Sequence, residues 1–209
     1  MKTMLRVSAM LVVTLGVAIL SAAGQTPEAD HKTNLGALDK FDFGLTFTYK
    51  VAQIASISGS RFVMPGASLD GVYNFNFNGP AKNLGLAFDL NGESVSGIEP
   101  GINLDQFSLV AGPRYTEQLN KIGSHKASFY GQALVGYVHA FDSVFPNSTG
   151  TTSSATAFAL EAGGGFNLYL TKSLGLRLLE ADYIMTKLPN NTNSYQGDIR
   201  LSNGLTFNF

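Results

Sequence analysis

Few residues of this chain could carry covalent chemistry. Histidine occurs at positions 31, 125 and 139 and cysteine is absent. The lack of cysteine removes disulfides, thiolate nucleophiles and thiolate metal sites together. A base and nucleophile could be drawn from His139 and Ser143, with Glu161 as a further neighbour. Such a pair works only in hydrogen-bond contact, and one histidine near many serines is expected from composition alone. His31 and His125 stand too isolated to build a metal site, so neither a metal nor a cofactor is expected. Gly163-Gly164-Gly165 lacks the Lys-Ser/Thr and the helix that a phosphate-cradling loop needs. It reads instead as close strand packing or a kink. The remaining candidates are single charges: Asp42, Asp89, Arg114, Glu161, Arg177, Glu180, Asp182 and Arg200. Each is set among small polar neighbours, and their chemistry is pairing within a hydrogen-bonded plug.

The elements that position those charges alternate with period two. Phe41, Phe43, Leu45, Phe47, Tyr49 and Val51 occupy odd positions, with Asp42, Gly44, Thr46, Thr48 and Lys50 between them. That is a strand with one apolar face, longer than the usual five or six residues. Comparable runs follow at 69–77, 84–90, 107–116, 129–139, 158–168, 174–185 and 199–209. The run from Phe129 is less decisive, because Tyr130 and Leu134 share a face with Gln132. Eight strands are expected. The connections 79–82, 117–126 and 171–173 are short, whereas 52–66, 92–103, 141–154 and 187–197 are long. Short turns on one side and long loops on the other suit an up-and-down barrel in an outer membrane.

Composition agrees. Charged residues make up 14% of the 209 residues, against about 25% in soluble domains, and their place is taken by Gly, Asn, Ser and Thr. The balance of 14 basic and 15 acidic side chains gives no basic surface for nucleic acid. Lys2 and Arg6 precede an uncharged apolar run, Val7 to Leu20, and the small residues Ser21-Ala22-Ala23. These are the three parts of a secretory signal peptide. The expected organisation is a leader over 1–23, a polar linker over 24–40 and a barrel over 41–209.

Periodicity leaves open which face meets water. A soluble barrel, such as a periplasmic binding protein, needs Lys and Glu on its outer face, and here the polar face is mainly small and uncharged. Such residues suit the narrow lumen of eight strands. Tyr49, Tyr115 and Tyr183 near strand ends suit an interfacial girdle. In the seventh strand Arg177 is out of phase with Glu180 and Asp182. A bulge at Leu178-Leu179 would turn all three inward, and a pair between Arg177 and Glu161 is then expected.

The chain ends in Ser202-x-Gly204-x-x-Phe207-x-Phe209, which resembles the signal read by the outer-membrane assembly machinery. With the leader, the eight runs and segments such as Leu109 to Tyr115 and Glu180 to Tyr183, the chain resembles the OmpA-like outer-membrane β-barrel family over 41–209. The resemblance implies an all-β, eight-stranded antiparallel transmembrane barrel that is monomeric, lies among outer-membrane lipids and lacks a peptidoglycan-binding domain. The family is functionally mixed, so the resemblance bears on location more than on activity. A non-enzymatic structural or interaction role through long extracellular loops is expected, with room for limited small-solute permeation. Two alternatives remain. One is a rim enzyme resembling the lipid A deacylases, built on His139; the other is a soluble periplasmic binding barrel.

Overall fold

The structure is a computed structural model that describes residues 38–53, 61–75, 77–99, 102–122, 125–190 and 194–209. The expected leader and the linker through residue 37 lie outside the described residues. Eight strands follow in chain order: β1 (Phe41–Gln53), β2 (Arg61–Asn74), β3 (Leu84–Glu99), β4 (Ile102–Ile122), β5 (His125–Asn147), β6 (Gly150–Tyr169), β7 (Leu174–Thr186) and β8 (Gln196–Asn208). Each pairs antiparallel with its neighbour in sequence, and β8 closes on β1. All eight expected runs fall on strands, although β2 ends at Asn74, short of Phe75 and Phe77, and begins at Arg61, inside the connection expected over 52–66. Closure leaves no edge within the ring, which is the condition for burying backbone amides in lipid.

The register fixes the tilt. From Phe41 the ladder passes to Tyr73, Leu86 and Pro113, crosses to β5 beside Arg114↔Gln132, and continues through Ala133↔Ala162, Tyr183 and Ile199. It re-enters β1 at Val51 instead of Phe41. A stagger of that size over eight strands corresponds to strands tilted about 40° and an interior that side chains can fill.

The alternation places large apolar side chains outside. Phe47 is 68% exposed and Tyr137 67%, while Arg200 is 1% exposed and Asp182 1%. This is the reverse of a soluble protein, and it excludes the soluble-barrel alternative: water would meet the Phe and Leu face, and the charges are inside. Exposed aromatics form two belts. One contains Phe41, Phe75, Phe129 and Phe209 at the short-turn end; the other contains Tyr49, Phe107, Tyr137 and Tyr183. From Phe41 to Tyr49 the tilted strand climbs ~20 Å, close to the ~25 Å apolar band of such barrels.

The long connections differ from expectation. β3 and β4 continue their ladder to Glu99↔Ile102, and β5 and β6 to Asn147↔Gly150. Most of 92–103 and 141–154 is therefore hydrogen-bonded hairpin, and not irregular loop. The β5–β6 ribbon outruns its neighbours. β4 pairs with β5 only as far as Asp105↔Phe141, and β7 with β6 only as far as Ala159↔Thr186. The register shifts between Phe141 and Phe145, where Asp142 adopts a φ of 61°. Thr, Ser, Val and Phe dominate this stretch, and their β preference keeps the ribbon paired beyond the barrel. The loops were expected because polarity signals turns; strand propensity prevails here.

Candidate functional site: a filled lumen

The inward positions build four stacked groups of polar side chains. The lowest is tied at the short-turn end, where Asn74 Nδ2 donates to the Asp39 carbonyl at 2.7 Å and to Asp42 Oδ2 at 2.9 Å. Above it, Arg177 meets Asp70 through two bonds, Nη1 to Oδ1 at 2.6 Å and Nη2 to Oδ2 at 3.0 Å, and reaches Glu180 Oε2 at 3.0 Å. Arg114 donates to Gln132 Oε1 at 2.9 and 2.6 Å and lies 3.3 Å from Asp70. Both guanidinium groups stack on Tyr130, at 4.2 Å for Arg114 and 5.2 Å for Arg177. The ring adds cation–π attraction in a desolvated place.

The next group is centred on Arg200. Its Nη2 faces Glu161 at 2.5 Å, Asp89 at 2.7 Å and Asp182 at 3.3 Å. Ser68 also donates to Asp89. Gln132 joins the two groups: its amide nitrogen donates to Glu180 at 3.0 Å and Asp182 at 3.2 Å, while its oxygen receives Arg114. Higher still, Lys50 pairs with Glu93 and donates to Gln106. Beside it is a cavity of about 10 Å³ lined by Lys50, Gln106, Glu161 and Thr186 among others, the room of a single water.

The bulge at Leu178-Leu179 is present. Asn167↔Arg177 is followed by Phe166↔Leu179, leaving Leu178 without a cross-strand partner. Both leucines are exposed, and Arg177, Glu180 and Asp182 are buried. The expected Arg177–Glu161 pair is not formed. Arg177 lies opposite Asn167, six residues down β6 from Glu161, roughly 20 Å at strand spacing. Glu161 meets Arg200 instead, and Arg177 reaches across the lumen to Asp70. The interior also holds Lys50, Asp70, Glu93, Tyr130, Gln132 and Asp198, which were not singled out from sequence. Parity alone puts Lys50 and Asp70 inside. Glu93 and Asp198 were missed because strands β3 and β8 extend further than their alternation suggested.

Glycine makes room for this packing. A Cβ on Gly44 would lie 2.0 Å from Asp70 Oδ1 and 3.1 Å from Arg177 Nη2, and one on Gly165 would lie 2.6 Å from the Tyr130 hydroxyl. Part of the glycine triplet thus serves as the seat of the Tyr130 ring.

Above the Lys50 level the interior changes character. Ala52, Met64, Leu104, Val138, Ala140, Phe145 and Leu188 are buried together, with Phe62, Val95, Ala155 and Ala157 packed against them. The upper lumen is an apolar core.

The structure does not assemble the His139 set. His139 faces outward, bonded through Nδ1 to Thr156 Oγ1 at 2.7 Å and stacked on Phe141, whereas Glu161 faces inward on Arg200. Among the assembly-signal residues, Ser202 is buried inside and Phe209 is exposed outside, its backbone exchanging hydrogen bonds with Phe41. Phe207 is on the outward parity but only 8% exposed, lying between Phe43 and Leu174 in the ladder. At Gly204 a Cβ would lie 2.1 Å from the Leu45 carbonyl, so the closing seam needs glycine there. No group of three or more His, Asp or Glu side chains suited to a metal occurs among the described residues.

No family model and no curated protein matches the sequence. Among solved structures the chain is similar to Neisserial surface protein A, with 16% identity over 81% of this chain and 97% of that one, at a TM-score of 0.56. It is similar also to Ail, the attachment invasion locus protein of Yersinia pestis, in complex with the heparin analogue sucrose octasulfate. There the identity is 18% over 81% of this chain and 99% of that one, at a TM-score of 0.50. At such identities the likeness is one of fold. That fold is the closed eight-stranded barrel of bacterial outer-membrane proteins, and the apolar exterior of this chain is one that lipid solvates.

Proposed function

We propose that this protein is a non-enzymatic barrel of the bacterial outer membrane that presents its extracellular hairpins to partners and passes no solute through its lumen. One observation carries the reading: the interior is occupied along its length, by ion pairs below and by apolar side chains above. A conducting path needs continuous water, and eight strands leave room for one only when inward side chains are small. The assembly-signal residues Ser202, Gly204, Phe207 and Phe209 would be read by the assembly machinery before the barrel closes. The barrel would then reside in outer-membrane lipid as a monomer.

The hairpin tips do not suit every ligand of this fold. A sulfated sugar of the kind bound to Ail needs clustered cations. Here the far rim carries Arg61 and Lys187 against Glu99, Asp105 and Asp142, and Lys187 is engaged on the Tyr195 ring at 5.3 Å. Uncharged contact along the paired β5–β6 ribbon fits these tips better. The test of the closed lumen is electrical. Reconstituted in planar bilayers, the folded barrel should show no stable unit conductance, and regular voltage-independent steps would overturn the reading.

A further inference from the structure

We propose that the short-turn rim of the barrel binds anionic phospholipid headgroups through Lys40, Lys82, Lys126 and Lys172; the inference rests on the outer-membrane reading above. The four lysines occupy four different connections: before β1, between β2 and β3, at the start of β5, and between β6 and β7. All four are exposed, and none joins an ion pair among the described residues. Among the described residues the acids at this rim are Asp39, Asp42 and Glu117; Asp42 already accepts from Asn74 at 2.9 Å, and Glu117 from Asn83 at 2.7 Å and from the Tyr115 hydroxyl at 3.0 Å. The opposite rim, with more acids than bases by sequence, has no such excess. Short turns mark the periplasmic side, where the leaflet is made of phospholipid.

Position and spacing identify the ligand. Phe41, Tyr73, Phe75 and Phe77 form a run of ring contacts with centroids 5.1 to 5.6 Å apart, and the Lys40 ammonium lies 5.7 Å from the Tyr73 centroid. Aromatic belts sit at the headgroup level, so lysines just beyond them meet the phosphates. The four connections lie two strands apart round the ring. With strands ~4.8 Å apart and tilted about 40°, successive lysines are separated by ~12 Å. That is too far for shared coordination of one phosphate, and it matches one lipid per lysine. The rim is therefore an annulus of separate headgroup contacts.

Native mass spectrometry of the refolded barrel in a neutral detergent tests this, with phosphatidylglycerol and phosphatidylcholine of the same chains as probes. The folded barrel should retain up to about four phosphatidylglycerols, with a roughly three- to tenfold preference at low salt that falls toward unity at high salt. The combined variant Lys40→Gln, Lys82→Gln, Lys126→Gln, Lys172→Gln should lose the preference and keep its heat-modifiable gel mobility. Arg61→Gln with Lys187→Gln should keep both. Equal retention of the two lipids by a folded parent would overturn the proposal. So would a preference that survives the fourfold variant or disappears in the Arg61/Lys187 variant, or capture of acidic muropeptides in place of lipid. A parent without heat-modifiable mobility would overturn the membrane-barrel reading, and this proposal with it.

Discussion

The lower and upper halves of the lumen are filled with opposite materials. On β2, inward positions run from Asp70 and Ser68 to Met64 and Phe62; on β3, from Asp89, Asn91 and Glu93 to Val95. Along β7 and just past its end they run from Arg177, Glu180 and Asp182 to Ile184, Thr186 and Leu188. The exterior changes in the other direction, from Phe88 and Leu90 to Ser96 on β3. The change comes near the belt of Tyr49, Phe107, Tyr137 and Tyr183, so one strand obeys two solvents. Where the outside is lipid, a polar interior is what tells the strand which face is in, since a one-residue slip would expose charge to hydrocarbon. Where the outside is water, the ordinary hydrophobic core returns. The lower half therefore specifies the barrel, and the upper half rigidifies what the barrel displays.

The largest expected effect tests the lower half. Arg200→Met leaves Asp89, Glu161 and Asp182 buried without their cation, and stripping one partner from such a cluster costs ~3–5 kcal/mol. The folded, heat-modifiable band should fall to a lower urea midpoint or fail to form. Adding Asp89→Asn, Glu161→Gln and Asp182→Asn should recover much of the loss, because no unpaired charge then remains. A single variant as stable as the parent would remove the ion pairs from the account of folding. Next, Met64→Ala opens a cavity in the upper core, worth ~2–5 kcal/mol. That loss should be local: faster cleavage of the hairpins by protease added outside, with the membrane span still heat-modifiable. Loss of the whole barrel would show that the two halves are one cooperative unit.

How much of this was legible follows from the same division. Inside the membrane the period-two rule applies without exception in β1, where Thr46, Thr48 and Lys50 are buried and Phe47 and Tyr49 exposed. The bulge was readable as well, because only one extra residue reconciles Arg177 with Asp182. Pairing across the lumen was not. Arg177 and Asp70 are 107 positions apart, and only the stagger of the whole ring brings them to one level. The ambiguity of β5 was itself informative: Gln132 shares a face with Tyr130 and Leu134 because that face carries the joint between the two ion-pair groups. The upper core stayed hidden since apolar residues on the polar parity, such as Val138 and Ala140, look like noise until the barrel is seen to rise above the membrane.

The position of that change can be checked from outside. Ala133 is exposed on β5, midway between Phe129 and Tyr137, so Ala133→Arg should cost ~2–4 kcal/mol near the bilayer centre. Ser96→Arg, beyond the upper belt, should be close to neutral in the same urea titration. Similar costs at both sites would remove the boundary.

The smallest effect concerns fit within the lower half. Gly44→Ala adds one methyl at a place where its carbon would lie 2.0 Å from Asp70 Oδ1 and 3.1 Å from Arg177 Nη2. The two bonds of Arg177 to Asp70 occupy that space, so the carboxylate must swing away and the pair must lengthen. Overpacking of this kind costs ~1–3 kcal/mol, less than removing a charge, because both partners remain and can repair part of the contact. If the cost arises through the pair, Asp70→Asn should already incur part of it, and Gly44→Ala should then cost less in an Asp70→Asn background than in the parent. Equal costs in the two backgrounds would place the strain in the backbone and leave the pair out of it.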